Sequence, residues 1–336
     1  MAGARRCGGR TELAGRAALP RRPVRRGLPC RVLDAGAVTR VIAVVGPTAS
    51  GKSALGVTLA RALGGEVINA DSMQLYAGMD IGTAKLTDAE REGVPHHLLD
   101  IWPVTREASV AEYQELARAA VDRLRAASRP PLLVGGSGLY VRSVLDKFEF
   151  PGTDPELRSR LEAELATVGA PALHRRLATL DPVAAERILP SNGRRIVRAL
   201  EVVELTGGFA AALPEPEPAY PAVQLGLDLD TALLDERIAQ RVDRMWATGL
   251  VDEVRRLEAV GLREGRTASR ALGYQQVLRF LAGECTEDEA RAATVRATRR
   301  FVRRQRSWFR RDPRIVWLDA LRPDLVDAAL QVVRTA

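Results

Sequence analysis

The sequence predicts an α/β fold, a parallel sheet flanked by helices and interrupted by an all-helical insertion. Three observations carry this. Short apolar, β-branched runs alternate with helical patterns from Val41 to about residue 150. The first of those runs leads directly into a glycine-rich loop, GPTASGKS. From Pro151 to about residue 220 the pattern turns wholly helical before one more strand pattern appears. The expected organisation is an extension over residues 1–40, a core formed by 41–151 and 221–336, and a helical insertion over 152–220.

Each element can be justified in order. VIAVV (41–45) is a continuous apolar run, the pattern of a strand covered on both faces. SALGVTLARALG repeats its apolar positions at helical spacing, and GEVINAD reads as a second strand with Asp71 at its carboxyl end. A polar stretch through GMDIGTAK and PHHLLDI precedes a helix over about 109–127. PLLVGGSGLY is another buried strand, ending in a glycine-rich turn. The helical block opens at DPELRSRL, with Asp154 placed as N-cap and Pro155 at the first helical position. It ends at the proline-rich LPEPEPAYP (213–221), after which AVQLGLDLD (222–230) alternates as a strand returning to the sheet. Helices are expected over 233–261, 269–282 and 286–311, followed by the apolar run RIVWLDA.

Bulk composition narrows the function classes. The net charge is +8, but residues 1–40 hold ten arginines and no lysine against two acids, Glu12 and Asp34. That segment therefore carries the whole excess, and we expect it to be a disordered basic extension or translated upstream sequence. Any polyanion binding by the remainder must rest on local patches. Cys7, Cys30 and Cys285 show no paired spacing, and His96, His97 and His174 form no metal-ligand pattern. A reducing cytoplasm is the expected compartment. No apolar run approaches the ~20 residues needed to span a membrane.

GPTASGKS fits the G-x-x-x-x-G-K-[ST] pattern of a P-loop, with Gly46, Gly51, Lys52 and Ser53 at the defining positions and Pro47, Thr48, Ala49 and Ser50 between them. Backbone N–H groups converge on phosphate oxygens there, and the following helix presents its positive end. Lys52 adds a point charge, and the Ser53 hydroxyl suits a phosphate-bound Mg²⁺. A P-loop NTPase-like sheet follows from this placement. The chemistry does not. An ATPase needs an acid at the end of a buried strand, whereas LLVGG ends in Gly135, Gly136 and Ser137. Asp71 is the remaining strand-terminal acid, and as the base of a small-molecule or nucleotide kinase it stays open.

Several motifs then converge. GPTASGKS, ADSMQLYAGMDIGTAK, PHHLLDI and LLVGGSGLY closely resemble the tRNA dimethylallyltransferases, and the resemblance continues through DPELRSRL, NGRRIVRALEV, SRALGYQQV and ATRRFVRRQRSWFRR. It covers about Val41 to Asp319 in the same order. It implies transfer of a dimethylallyl group from dimethylallyl diphosphate to N6 of an adenine next to the tRNA anticodon, with diphosphate as leaving group. The P-loop, Lys52 and Mg²⁺ at Ser53 would then hold that diphosphate. Asp71 would take the proton of the adenine amine, from an aspartate ionised at its ordinary pKa of ~3.9. Asp71, Ser72, Met73 and Gln74 would form the contact stretch for the tRNA. Ser137 stands where the family more often has threonine, so the hydroxyl is kept and the methyl lost.

The same resemblance places tRNA contacts at Arg158, Arg195, Arg198, Arg270, Gly273 and Tyr274. Arg299, Arg303, Arg306 and Arg310 fall on one stripe of a helix, and no acid interrupts residues 291–311, which favours a phosphate-binding face. The target adenine would have to leave the anticodon-loop stack to react. Relatives that prenylate free adenine nucleotides lack much of the arginine-rich helix and the insertion. Those with a zinc-finger-like tail have cysteines that this chain, with only Cys285 late in the sequence, does not. The expected partners are the tRNA anticodon stem-loop and dimethylallyl diphosphate, with no membrane, and the protein is expected to be a monomer.

Overall fold

The computed structural model describes residues 40–147, 149–210 and 214–336. The extension expected for residues 1–40 lies outside them, apart from Arg40. Six strands form one parallel sheet: β1 (Val41–Val45), β2 (Glu66–Asn69), β3 (His96–His97), β4 (Pro131–Val134), β5 (Ala222–Asp228) and β6 (Ile315–Asp319). Their order is β3-β2-β4-β1-β5-β6. VIAVV sits near the middle, with Ile42 opposite Leu132 of β4 and Val223 of β5.

That position explains its unbroken apolar text. Val41, Ala43 and Val45 join the cluster on one face with Tyr113, Tyr140 and Tyr274, while Ile42 and Val44 join the other with Leu59 and Leu225. A strand covered by helices on both sides has no polar face. Helices α1 (Lys52–Leu63) and α13 (Leu325–Thr335) cover the second face. The first is covered by α3 (Val110–Ala126), α4 (Gly138–Leu145), α10 (Leu250–Glu258) and α11 (Tyr274–Leu281). A one-turn helix, α2 (Asp88–Arg91), starts at a capping box on Thr87.

The helical block comprises α5 (Pro155–Val168), α6 (Ala170–Leu180), α7 (Pro182–Glu186) and α8 (Gly193–Thr206). Asp154 caps α5 through the Glu156 and Leu157 amides, as its sequence position suggests. These helices bury a cluster of their own, including Leu161, Leu177, Ile196 and Leu200. At the root of the block, the Lys147 amide donates to the Glu217 carbonyl and the Ala219 amide to that of Leu145. The outgoing and returning chain thus run side by side. Asp146, 1% exposed, is fixed there by Arg142 and Arg314.

Several expectations needed adjustment. The helix expected over 233–261 is two, α9 (Thr231–Ala247) and α10, separated where Gly249 takes a left-handed φ of 98°. RIVWLDA contains β6, the sheet edge beside β5. The turn after β4 runs into α4, and the chain ends in α13; neither helix was anticipated. The long helix α12 (Glu287–Phe309) lies within two residues of its expected bounds at each end.

Candidate active site

The site forms at the carboxyl ends of the central strands, where parallel sheets place their ligands. The loop after β1 is GPTASG; β2 ends at Asn69, two residues before Asp71; β4 ends at Val134, before Gly135, Gly136 and Ser137. The loops after β2 and β4 are stitched together. The Ala70 amide donates to the Val134 carbonyl (2.8 Å) and the Ser137 amide to the Ala70 carbonyl (3.2 Å). The Ser72 amide donates to Ser137 Oγ at 3.1 Å. The hydroxyl kept at position 137 therefore shapes the backbone around Asp71. A threonine would offer the same oxygen.

Asp71 is held from both sides. Its amide donates to Asn69 Oδ1 (2.9 Å), and its carboxylate Oδ1 accepts from the Met73 amide (3.0 Å). Burial pushes its pKa above the ordinary carboxylate value; the Met73 amide and the charges of Lys52 and Arg241 oppose this without cancelling it. That corrects the expectation of an unperturbed aspartate. A raised pKa makes the carboxylate a better proton acceptor.

Lys52 faces the opposite balance. Burial lowers its pKa to about 8, Asp71 pulling it up and Arg241 adding to the fall. Its Nζ donates to the Pro47 carbonyl at 2.6 Å, within the loop. Gly46 can open the loop only as glycine. Its φ is +133°, and a Cβ would lie 2.3 Å from the Leu227 carbonyl oxygen of β5. Ser50 Oγ is buried in the loop with no hydrogen-bond partner, a donor of the kind a phosphate oxygen would accept from.

Two residues that the sequence did not single out complete this arrangement. Arg241 of α9 donates to Thr48 Oγ1 at 3.0 Å and bears on the charge of Asp71. Gln305 of α12 accepts from the Thr48 amide at 2.9 Å. Both lie about 200 residues or more downstream of the loop, so no local motif marks them. The unbroken arginine pattern of α12 also concealed a buried glutamine.

Beside this centre a cleft of about 1210 Å³ runs between the helical block and the core. Gly138 and Leu139, adjoining Ser137, line one wall with Arg142, Trp308 and Arg311; Arg158, Arg194, Arg195 and Arg198 line the other. Ser53 opens on a separate recess of about 30 Å³ with Asn69, Gln74 and His96. Among the described residues no group of three or more His, Cys, Asp or Glu is placed to hold a metal ion.

A model of the IPP transferase family matches residues 74–312. The chain belongs to the IPP transferase family. It is similar to the tRNA dimethylallyltransferase of Salinispora arenicola, 74% identical over 88% of this chain and 87% of that protein. The tRNA dimethylallyltransferase of Thermobifida fusca is 68% identical over 88% of this chain and 95% of its own. Among solved structures, the full-length tRNA isopentenylpyrophosphate transferase of Bacillus halodurans is 40% identical, with a TM-score of 0.65 over 88% of this chain and 95% of that one. A eukaryotic dimethylallyltransferase acting on tRNA is 25% identical, with a TM-score of 0.74 over 87% and 77%.

The arginines that line this IPP transferase are less available than their sequence suggests. Glu201, 0% exposed, pairs with Arg158 and Arg198 and accepts from the Asp154 amide. Arg198 also donates to the Pro151 and Gly152 carbonyls. Those two arginines therefore tie down the entry to the helical block, while Arg195 is exposed on α8. Tyr274 is wholly buried, donating to Glu253 at 2.5 Å, and Gly273 starts α11 at φ 87°. Arg270 alone of that group is exposed.

On α12 the expectation of uncompensated charge holds only along the sequence. Arg299 and Arg303 face Asp235 of α9, and Arg306 and Arg310 share Asp228 of β5. The acids come from elsewhere in the chain. Beside that stripe, Arg296, Arg300, Arg304 and Arg311 are exposed and have no acidic partner among the described residues. Helical spacing puts Arg296, Arg300 and Arg304 on one adjoining face of α12, and Arg311 follows two residues beyond the helix's last residue.

Proposed function

We propose that this IPP transferase is a tRNA dimethylallyltransferase: it moves the dimethylallyl group of dimethylallyl diphosphate to N6 of an adenine next to the anticodon, releasing diphosphate. The observation that carries the reading is the pairing, at one end of the sheet, of a P-loop with the half-buried carboxylate of Asp71. Lys52 and Arg241 reach one side of the centre, and Asp71 lies close enough to feel both charges. Family membership and the names of the similar proteins support the substrates.

In this reading the diphosphate lies in the loop of residues 46–53. Loop amides, Lys52 and Arg241 stabilise the charge that grows on the leaving oxygens as the allylic C–O bond breaks. The adenine amine attacks the same carbon, a C–N bond replaces C–O, and Asp71 accepts the amine proton. Ser72, Met73 and Gln74, with Ser137 behind them, shape the wall against which the adenine would lie. The cleft beside Ser137 admits the base once it leaves its stack.

The Ser53 hydroxyl, at the P-loop position that suits a phosphate-bound cation, fits a Mg²⁺ ion held mainly by diphosphate oxygens and water, the usual preference of that ion. Ser53 would supply its one protein ligand, and the ion would add charge neutralisation to the leaving group. Arg296, Arg300, Arg304 and Arg311, without an acidic partner among the described residues, present four cations to RNA phosphates. One chain supplies every group named, so a monomer suffices.

The test is incubation with Mg²⁺, dimethylallyl diphosphate and an anticodon stem-loop containing the adenine. Mass spectrometry is expected to show the RNA gaining one prenyl group. RNA that binds without gaining mass contradicts the reading, and transfer of phosphate from ATP instead would identify a kinase.

A further inference from the structure

Gln305 belongs to none of the functions expected of α12, yet among the described residues it is the one side chain hydrogen-bonded to both phosphate-side loops. It is 5% exposed. Its Oε1 accepts from the Thr48 amide of the P-loop (2.9 Å), and its Nε2 donates to the Gly136 carbonyl of the loop after β4 (2.8 Å). The approach is close enough to dictate the neighbour: a Cβ on Gly136 would lie 2.4 Å from Nε2. From Gly136 the connection continues through Ser137, which accepts from the Ser72 amide and donates its own amide to the Ala70 carbonyl. Ala70 and Ser72 flank Asp71. A single carboxamide thus links the loop expected to hold the leaving group to the one carrying the base.

A carboxamide of this length accepts on one side and donates on the other without a change of charge. A carboxylate lacks the proton for Gly136, and an apolar side chain satisfies neither loop. Such a bridge fixes a distance, and in-line displacement depends on distance: misplacement by ~1 Å can cost ~10² in rate.

We propose that Gln305 is a positioning residue that sets the separation between the P-loop and the Asp71 loop, and hence the alignment of the diphosphate with the attacking amine. This rests on the prenyl-transfer reading. Gln305 is 5% exposed and both its polar side-chain atoms are engaged by the two loops, so its effect belongs in kcat rather than in the KM for RNA.

The experiment uses the full chain with two variants, Gln305→Met and Gln305→Glu, assayed for prenyl transfer with both substrates varied. Gln305→Met removes both bonds at similar length. It is expected to lower kcat ~10- to 100-fold, with the KM for RNA within about twofold of wild type. Gln305→Glu is nearly isosteric and keeps the acceptor for Thr48, so it tests the bridge even where the methionine variant folds poorly. Its ionised form cannot donate to Gly136, but its protonated form can. The ratio of its kcat to that of wild type is therefore expected to rise several-fold as the pH falls from roughly 8 to 6, because burial favours the neutral acid. Lys52 and Arg241, joined to the same loop, favour the ionised form, and Asp71 favours the neutral one. Titration of Asp71 itself acts on both proteins and divides out of the ratio.

A ratio that stays flat with pH, or a folded Gln305→Met with wild-type kcat, overturns the proposal. A wild-type protein that transfers no prenyl group fails the functional reading instead, and the two failures are separate.

Discussion

At the scale of single residues, the chemistry rests on two half-buried ionisable groups whose pKa values are pushed towards each other. Burial raises the pKa of Asp71 and lowers that of Lys52 to about 8, and each group partly restrains the other's shift. The base must be ionised and the lysine charged, so kcat/KM for the donor is expected to be bell-shaped. Activity falls on the acid side as Asp71 gains its proton, at a pH above the ordinary carboxylate range. It falls on the alkaline side through about 8, as free Lys52 loses its proton. With diphosphate bound, its negative charge holds the proton on Lys52, and the alkaline limb of kcat should lie higher. A profile of kcat/KM flat from neutral to about pH 10 would remove Lys52 from this role. Asp71→Asn keeps the shape of the side chain but not its basicity. It should cost ~10²–10⁴ in kcat while leaving diphosphate binding, measured by calorimetry, nearly unchanged.

At the scale of elements, two helices from the last third of the chain organise loops from the first. Glu253 of α10 is 2% exposed and accepts from the amides of Asp80, Ile81 and Gly82 and from the Tyr274 hydroxyl. GMDIGTAK is therefore a turn folded around a carboxylate from α10, and Gln74 is tied to it through the Thr83 carbonyl. Glu253→Ala leaves buried donors unmatched and should lower unfolding stability by about 3 kcal/mol in chemical denaturation. Helix α12 divides its arginines between two jobs. Arg306 and Arg310 neutralise Asp228, while Arg296, Arg300 and Arg304 are exposed with no acidic partner among the described residues. Replacing each outward arginine by alanine should reduce the salt dependence of RNA binding by about one unit of log–log slope. Arg306→Ala should act mainly on stability. Equal effects on the slope would mean that the two stripes are not distinct.

At the scale of the whole molecule, the helical block and the core face each other across the cleft, whose wall at Gly138 adjoins Ser137 and, through it, the Asp71 loop. Most of this architecture is legible in the sequence because local pattern encodes it. Buried parallel strands show as apolar runs, the cap of α5 as Asp154, and the P-loop as a spacing. What stayed hidden is what long-range contact decides. The break between α9 and α10 depends on one glycine, β6 is an edge strand with an exposed Val316, and the two-residue β3 is too short to leave a pattern. The same holds at the site. Asp71, Ser137 and Lys52 carry motifs, whereas Arg241 and Gln305 reach the loop from 193 and 257 residues away. The opposite error arose where acids distant in sequence neutralise the α12 stripe.

Prenyl transfer itself is the central claim, and the mass of the RNA product tests it most directly. An anticodon stem-loop incubated with the full chain, Mg²⁺ and dimethylallyl diphosphate should gain one prenyl group on adenine N6, located by fragmentation, and Asp71→Asn should slow that gain ~10²–10⁴-fold. RNA recovered at its starting mass from a mixture in which it is bound, or modified equally fast by Asp71→Asn, would contradict the account.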